Sequence, residues 1–250
     1  MNYHIEVCID NLESLYLAIE GGATRIELCS SLALGGLTPS FGMMKQAAKQ
    51  SSVPIYAMIR PRQGDFVYDD DDIAIMASDI QSAAEAKLQG VVLGLLTPNG
   101  DIDTLRAKPL IDLAHQLKLG VTFHRAIDHS QHALESLEKI IQLGCERVLT
   151  SGLAADVVSG IDTLEKMQNL AAGRITIMAG AGLNAQNVAK IVGQCGIHEV
   201  HLSGKTTRPS AMNASANRAH MGSKDIDDFI VPVTHPQAIQ DVVKVLKEMK

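Results

Sequence analysis

The stretch Gly21-Gly22-Ala23-Thr24-Arg25-Ile26-Glu27-Leu28-Cys29 decides how this chain is read. Gly21-Gly22 stops a helix, a short apolar run follows, and Glu27 and Cys29 leave a polar tip. The first apolar run, His4-Ile5-Glu6-Val7-Cys8, ends the same way. Alternate residues of a strand share a face, so Glu6 lies with Cys8 and Glu27 with Cys29. As neighbours in a parallel sheet, the two runs gather two acids and two thiols at one place.

The pattern repeats outward from there. Apolar runs near 54–61, 90–95, 120–126, 147–152, 175–179 and 199–204 alternate with amphipathic stretches. The helix exit recurs as Gly144-Cys145-Glu146-Arg147 and Gly196-Ile197-His198-Glu199, each leading into a strand. Eight strands and eight helices in strict alternation point to an α/β fold, a single-domain (β/α)8 TIM barrel over 1–250. The rival is a doubly wound open sheet, which lacks its glycine-rich turn after the first strand here. Helix six is expected near 155–170, and Asn184 is expected to cap helix seven. The polar segment 205–235 reads as a long loop after strand eight, either a lid or an insertion that is disordered or touches another subunit. A C-terminal helix spans 236–249.

Composition narrows the function. A formal charge of −6 with no long basic run argues against nucleic acid or an anionic membrane as partner. No apolar run reaches the roughly 20 residues of a membrane helix. The N-terminus has no basic head or apolar h-region, so a cytoplasmic protein is expected. Its four cysteines, Cys8, Cys29, Cys145 and Cys195, are then thiols, ligands or nucleophiles. Cys145 and Cys195 fall at helix exits and read as packing residues.

In such barrels the active site lies at the C-terminal ends of the strands. Those ends carry Glu6 and Cys8, Glu27 and Cys29, Arg60 and Arg62, His124 and Arg125, Thr150 and Ser151, Gly180, then His201 and Ser203. The opposite ends read as mostly plain aliphatic or turn residues. Glu6, Glu27, Arg60, His124 and His201 taken as inward-facing give a charged mouth, and buried charges persist only when paired. A polar plug without chemistry is the alternative. Cys8 and Cys29, on strands about 4.8 Å apart, are soft donors that suit Cu(I); otherwise they are two small buried residues. Gly180 and Gly182 before a helix, with Ser203, Gly204 and Lys205, suit an anion.

The segments Glu6-Val7-Cys8, Gly22 to Cys29, Gly35-Gly36-Leu37-Thr38-Pro39-Ser40 and Ile59-Arg60-Pro61-Arg62 resemble the CutC family of copper homeostasis proteins. So do Gly64-Asp65-Phe66, Thr122-Phe123-His124-Arg125-Ala126, Arg147 to Gly152 and Glu199-Val200-His201. The resemblance covers about 4–204. It implies a cytoplasmic TIM barrel that associates with itself as a homo-oligomer, dimer or tetramer, and it places the family's copper-binding cysteines at Cys8 and Cys29. Gln63 departs from the family's glycine before Gly-Asp-Phe, and Ser215-Ala216 stand where an Arg-Asn pair is usual.

Two functions follow. One is a copper homeostasis protein that binds Cu(I) through Cys8 and Cys29. The other is a barrel enzyme on a small anionic metabolite, phosphorylated or sugar-like. There Arg60, Arg62 and Arg125 would hold the anion, with Thr150, Ser151, Gly180, Gly182, Ser203 and Gly204 lining the site. Glu6 or Glu27 would be the base and His124 or His201 the acid.

Overall fold

The stops at Asn11 and Gly22 set the first repeat. Asn11 Oδ1 accepts from the Ser14 N–H at 2.8 Å and starts α1 (Leu12–Gly21). Gly22, at φ +99°, ends it in a left-handed turn that favours glycine. In the computed structural model, which describes residues 3–212 and 227–249, this turn delivers the chain into β2 (Arg25–Leu28). β2 pairs in parallel with β1 (His4–Ile9), with Cys8 opposite Glu27 and Glu6 opposite Arg25.

The unit then repeats. Next come α2 (Phe41–Gln50), β3 (Ile55–Met58), α3 (Asp70–Glu85), β4 (Gly90–Leu93), α4 (Thr104–Gln116) and β5 (Gly120–Phe123). They are followed by α5 (Ala133–Leu143), β6 (Arg147–Thr150), α6 (Ile161–Ala171), β7 (Thr176–Ala179), α7 (Val188–Cys195) and β8 (Glu199–Leu202). β8 pairs in parallel with β1, Glu6 opposite His201, and the eight strands close into a barrel. The TIM barrel read from the alternation is therefore the fold.

Side-chain alternation divides the interior in two. Val7, Ile26, Ala57, Val91, Phe123, Val148, Ile177 and Val200 belong to the large aliphatic core that also takes in the helices. The opposite parity faces the barrel lumen, where Cys29, Met58 and Val92 form a small separate cluster. Below that cluster the lumen is ionic. Arg25 Nε donates to Glu6 Oε2 at 2.5 Å, and Arg25 Nη2 to Glu199 Oε2 at 2.5 Å. Arg147 Nε reaches the same Glu199 oxygen at 2.5 Å, and its Nη1 donates to Thr122 Oγ1 at 3.2 Å. Both guanidinium groups lie over the Tyr56 ring, at 5.5 and 5.4 Å from its centroid. Tyr56 needs the room left by two glycines. A Cβ on Gly90 would stand 2.2 Å from the ring, and one on Gly120 would stand 2.6 Å from the hydroxyl.

This network corrects the expectation of plain aliphatic strand starts: Arg25, Arg147 and Glu199 open their strands and are nearly buried. Three further expectations change. Helix six starts at Ile161, not near 155, because Asp156 turns the chain by accepting from Val158 N and Ser159 N. Gly160 also passes so close to Ser151 O that a Cβ there would lie 1.8 Å away. Asn184 does not cap α7: its Oδ1 accepts from Gln186 N, and the helix begins after Asn187.

Finally, 205–235 is not a bare loop. It holds an antiparallel ribbon of β9 (Lys205–Pro209) and β10 (Ile230–Thr234). The ribbon lies against the start of α1: Asn11 Nδ2 donates to Pro232 O, Thr234 N donates to Ser14 Oγ, and Arg208 grips Glu13. Arg218, His220 and the Ser215-Ala216 pair lie outside the described residues. The final helix is α8 (Pro236–Glu248), packed against α1.

Replacing Arg25 by Met leaves Glu6 and Glu199 short of a buried partner. Loss of one member of a buried ion pair costs about 3–5 kcal/mol, and urea unfolding of Arg25→Met should show a loss of that order. A loss under about 1 kcal/mol would mean that the pairs do not hold the lumen together.

Candidate functional site

The C-terminal strand ends open into a cavity of about 980 Å³. Cys8, Glu27, Arg60, His124, Arg125 and His201 line it, and so do Gly182, Ser203, Gly204 and Lys205. Alternation explains the selection. Cys8 follows Glu6 on the inward face of β1, His201 follows Glu199 on β8, and His124 follows Thr122 past the end of β5.

At the floor, Cys8 Sγ, a carboxylate oxygen of Glu27 and a ring nitrogen of His201 all lie within 4.8 Å of one another, and all three residues are buried. His201 is aimed from below: its Nδ1 donates to Glu6 Oε1 at 2.8 Å, leaving Nε2 3.9 Å from Glu27 Oε2. Burial opposes charge on His201, but Cys8, Glu27 and Glu6 outweigh it and hold the imidazole protonated well above its ordinary range. Burial would also raise Glu6, yet the His201 hydrogen bond and the Arg25 charge keep it ionised, down at about 2. Glu27 lacks such support. Burial, reinforced by the Glu6 charge, lifts its carboxyl to about 7 against the pull of His201. Two acids, 2.8 and 3.9 Å from one imidazolium, thus carry different charge near neutrality.

Cys29 does not enter the three-donor cluster. It sits behind Glu27, whose Oε2 accepts from its Sγ at 3.6 Å, and it packs on Met58 and Val92. Burial and the Glu27 carboxylate push its thiol well above the ordinary value.

The opposite wall is built on Phe66. Its ring lies 5.0 Å from the His124 ring, and the Arg60 guanidinium stands over it at 5.1 Å. Arg60 donates to three backbone carbonyls, Leu34, Gly36 and Gly64, at 2.9, 3.1 and 2.8 Å, and so ties the loops after β2 and β3 together. His124 Nδ1 accepts from Ala126 N at 3.1 Å, which puts the ring proton on Nε2. Burial and the Arg60 charge lower His124 to about 3, so it is neutral.

The remaining expected residues do other work. Arg62 does not line the cavity; Asp72 and Asp65 hold it at 2.9 and 3.1 Å. Arg125 lines it but pairs with Asp128 at 2.7 Å. Thr150 and Ser151 donate to the same Asp128, an almost buried carboxylate that also accepts from Leu153 N. Gly180 backs His201: a Cβ there would stand 2.7 Å from Leu149 Cδ1 and 3.2 Å from the His201 Cβ. Sequence reasoning missed Asp128 and Phe66. It also missed Arg25 and Glu199, although each sits two residues before a chosen residue on the same strand face.

Residues 3–206 match the family model described as the CutC family. The chain belongs to the CutC family. A relative from Vibrio cholerae serotype O1 named as a CutC protein is 61% identical over 246 residues, 98% of this chain and 97% of its own length. One from Vibrio vulnificus strain CMCP6 is 59% identical over 249 residues and covers both chains fully. The crystal structure of CutC from Streptococcus agalactiae, whose name ties it to copper homeostasis, matches with a TM-score of 0.75 at 33% identity. That match covers 80% of this chain and 97% of the other. Thiamine phosphate pyrophosphorylase from Pyrococcus furiosus, at 16% identity and a TM-score of 0.58 over 98% of this CutC chain and 96% of its own, shares the barrel alone. No helix among the described residues is long and apolar enough to cross a membrane.

The neutral buried His124 gives a pH signature. Its folded pKa is depressed below the ordinary 6.5, so its contribution to stability is present above that value and drains away as pH falls from there toward 3. Asn in its place keeps an acceptor for Ala126 N but does not titrate. The stability gap between wild type and His124→Asn should narrow by about 2 kcal/mol from pH 7 to pH 5, read by chemical unfolding. A gap constant over that range refutes the assignment.

Proposed function

We propose that this CutC-family chain is a copper homeostasis protein that binds Cu(I) at the barrel floor through Cys8 and Cys29, with His201 as a third donor. One observation carries the reading: Cys8, Glu27 and His201 bring donor atoms within 4.8 Å of one another in a buried pocket. The donor chemistry fits. Thiolate and imidazole are soft to borderline and select Cu(I) or Zn(II) over Mg(II) and Ca(II). Glu6 on Nδ1 fixes the His201 ring and leaves Nε2 to ligate once the metal displaces its proton, the carboxylate–imidazole support found behind metal-bound histidines. Cys29, in contact with Glu27, brings the second sulfur to the edge of the cluster. The name of the Streptococcus agalactiae structure agrees with a copper homeostasis role.

We take the protein to act in the cytoplasm as a homo-oligomer, dimer or tetramer. All four cysteines are buried and unpaired, as a reducing compartment requires.

Competition with a chromophoric Cu(I) chelator tests the site. Wild type should withdraw one Cu(I) per chain; Cys8→Ser with Cys29→Ser should withdraw none, and His201→Ala should hold Cu(I) more weakly. Unchanged affinity in the double variant, or retention of Zn(II) against excess Cu(I), removes copper from this site.

A further inference from the structure

Arg60 is out of step with the other arginines. Every other arginine among the described residues has a carboxylate oxygen within 4.0 Å. Arg60 is 6% exposed; its charged neighbours are replaced by three carbonyl oxygens, the Tyr68 hydroxyl and the Phe66 ring. Carbonyl dipoles satisfy N–H groups but leave a buried cation without its counter-charge. Its Nε is also buried with no partner. Buried polar atoms without partners are rare in folded proteins, and each asks for an explanation.

Among the described residues, three of the four such side-chain atoms belong to residues of one cavity, Arg60 Nε, His124 Nε2 and Glu27 Oε1; the fourth, the Tyr68 hydroxyl, lies beside Arg60 outside it. The first two are pinned from behind. Loop carbonyls hold the Arg60 Nη atoms, and the Ala126 N–H holds His124 Nδ1. Both side chains pack on Phe66, so the two free N–H donors flank one aromatic ring. They are fixed donors, one cationic and one neutral, in a water-poor wall, which is how proteins hold an oxyanion. Glu27 on the facing wall cannot take that anion, but its free oxygen suits a hydroxyl, which donates or accepts as required.

We infer that the barrel mouth binds a small hydroxy acid: its carboxylate between Arg60 Nε–H and His124 Nε2–H, its hydroxyl on Glu27 Oε1. A cavity of about 980 Å³ holds a metabolite of that size. The anion-holding donors are distinct from the thiols, so the site stands whether or not Cys8 and Cys29 hold copper.

Isothermal titration of the copper-free full chain tests it, with glycolate, glycerate, acetate, glycerol and inorganic phosphate as probes. The hydroxy acids should bind, acetate more weakly, and glycerol not at all. His124→Asn, which keeps the Ala126 contact, should weaken glycerate at least about tenfold, the size of one lost hydrogen bond to a charged group. Arg60→Lys keeps a cation but not the Nε–H geometry and should weaken glycerate similarly, with the circular dichroism of both variants unchanged. No hydroxy acid binding to wild type, or equal binding by wild type and His124→Asn, overturns the inference. Phosphate binding more tightly than glycerate, with the same dependence on His124, overturns the hydroxy-acid assignment in favour of a phosphorylated ligand. A copper site that fails its chelator test leaves these outcomes unaffected.

Discussion

The lower lumen is held by one shared carboxylate. Glu199 accepts from both Arg25 and Arg147 on a single oxygen, and Arg25 passes the charge on to Glu6. Taking four ionised groups out of water is costly, and the cost is met only because each has partners at hydrogen-bonding distance. An aliphatic filling would seal the barrel as well. It would not, however, place a carboxylate under His201. The ion network ends at Glu6, and Glu6 is what orients the imidazole, while Cys8 and Glu27 do most to hold its charge against burial. The floor of the mouth therefore inherits the aim of its imidazole from the closed end of the barrel.

That inheritance explains how two glutamates of similar sequence setting come to differ. Glu6 and Glu27 each precede a cysteine by two residues, but the register sets Glu6 opposite Arg25 and Cys8 opposite Glu27. One step along the barrel separates them. Glu6 touches a guanidinium and an imidazole; Glu27 keeps an oxygen with no partner and is left near neutrality. Environment, not motif, assigns their roles.

Much of this was legible from the chain alone, and what was not has a physical reason. The repeat, the glycine stops and the mouth residues Cys8, Glu27, Arg60, His124 and His201 follow from periods and parities that are local. Arg25 and Glu199 were within reach of the same parity rule, one step down each strand. Their pairing was not, because the contact between Arg147 and Glu199 joins residues 52 apart whose meeting depends on the barrel's stagger. Arg62 shares the strand face of Arg60, yet lies past the end of β3, where loop acids capture it. Asp128 sits on a short 3-10 turn with no period to announce it. Within 205–235, β9 has the polar composition of a loop, and β10 is apolar but carries Pro232 and stands largely exposed.

The ribbon and α8 reach back to α1, and β8 supplies the second neighbour of β1. The opening strand is thus completed by a partner made nearly two hundred residues later. While the ribosome is still at work, that strand has one satisfied edge and one bare one, and such edges invite pairing with other chains. Closure of this seam has a large sequence separation, which makes it a late and slow event. The ring therefore depends on the final third of the chain, which supplies the strand that closes it.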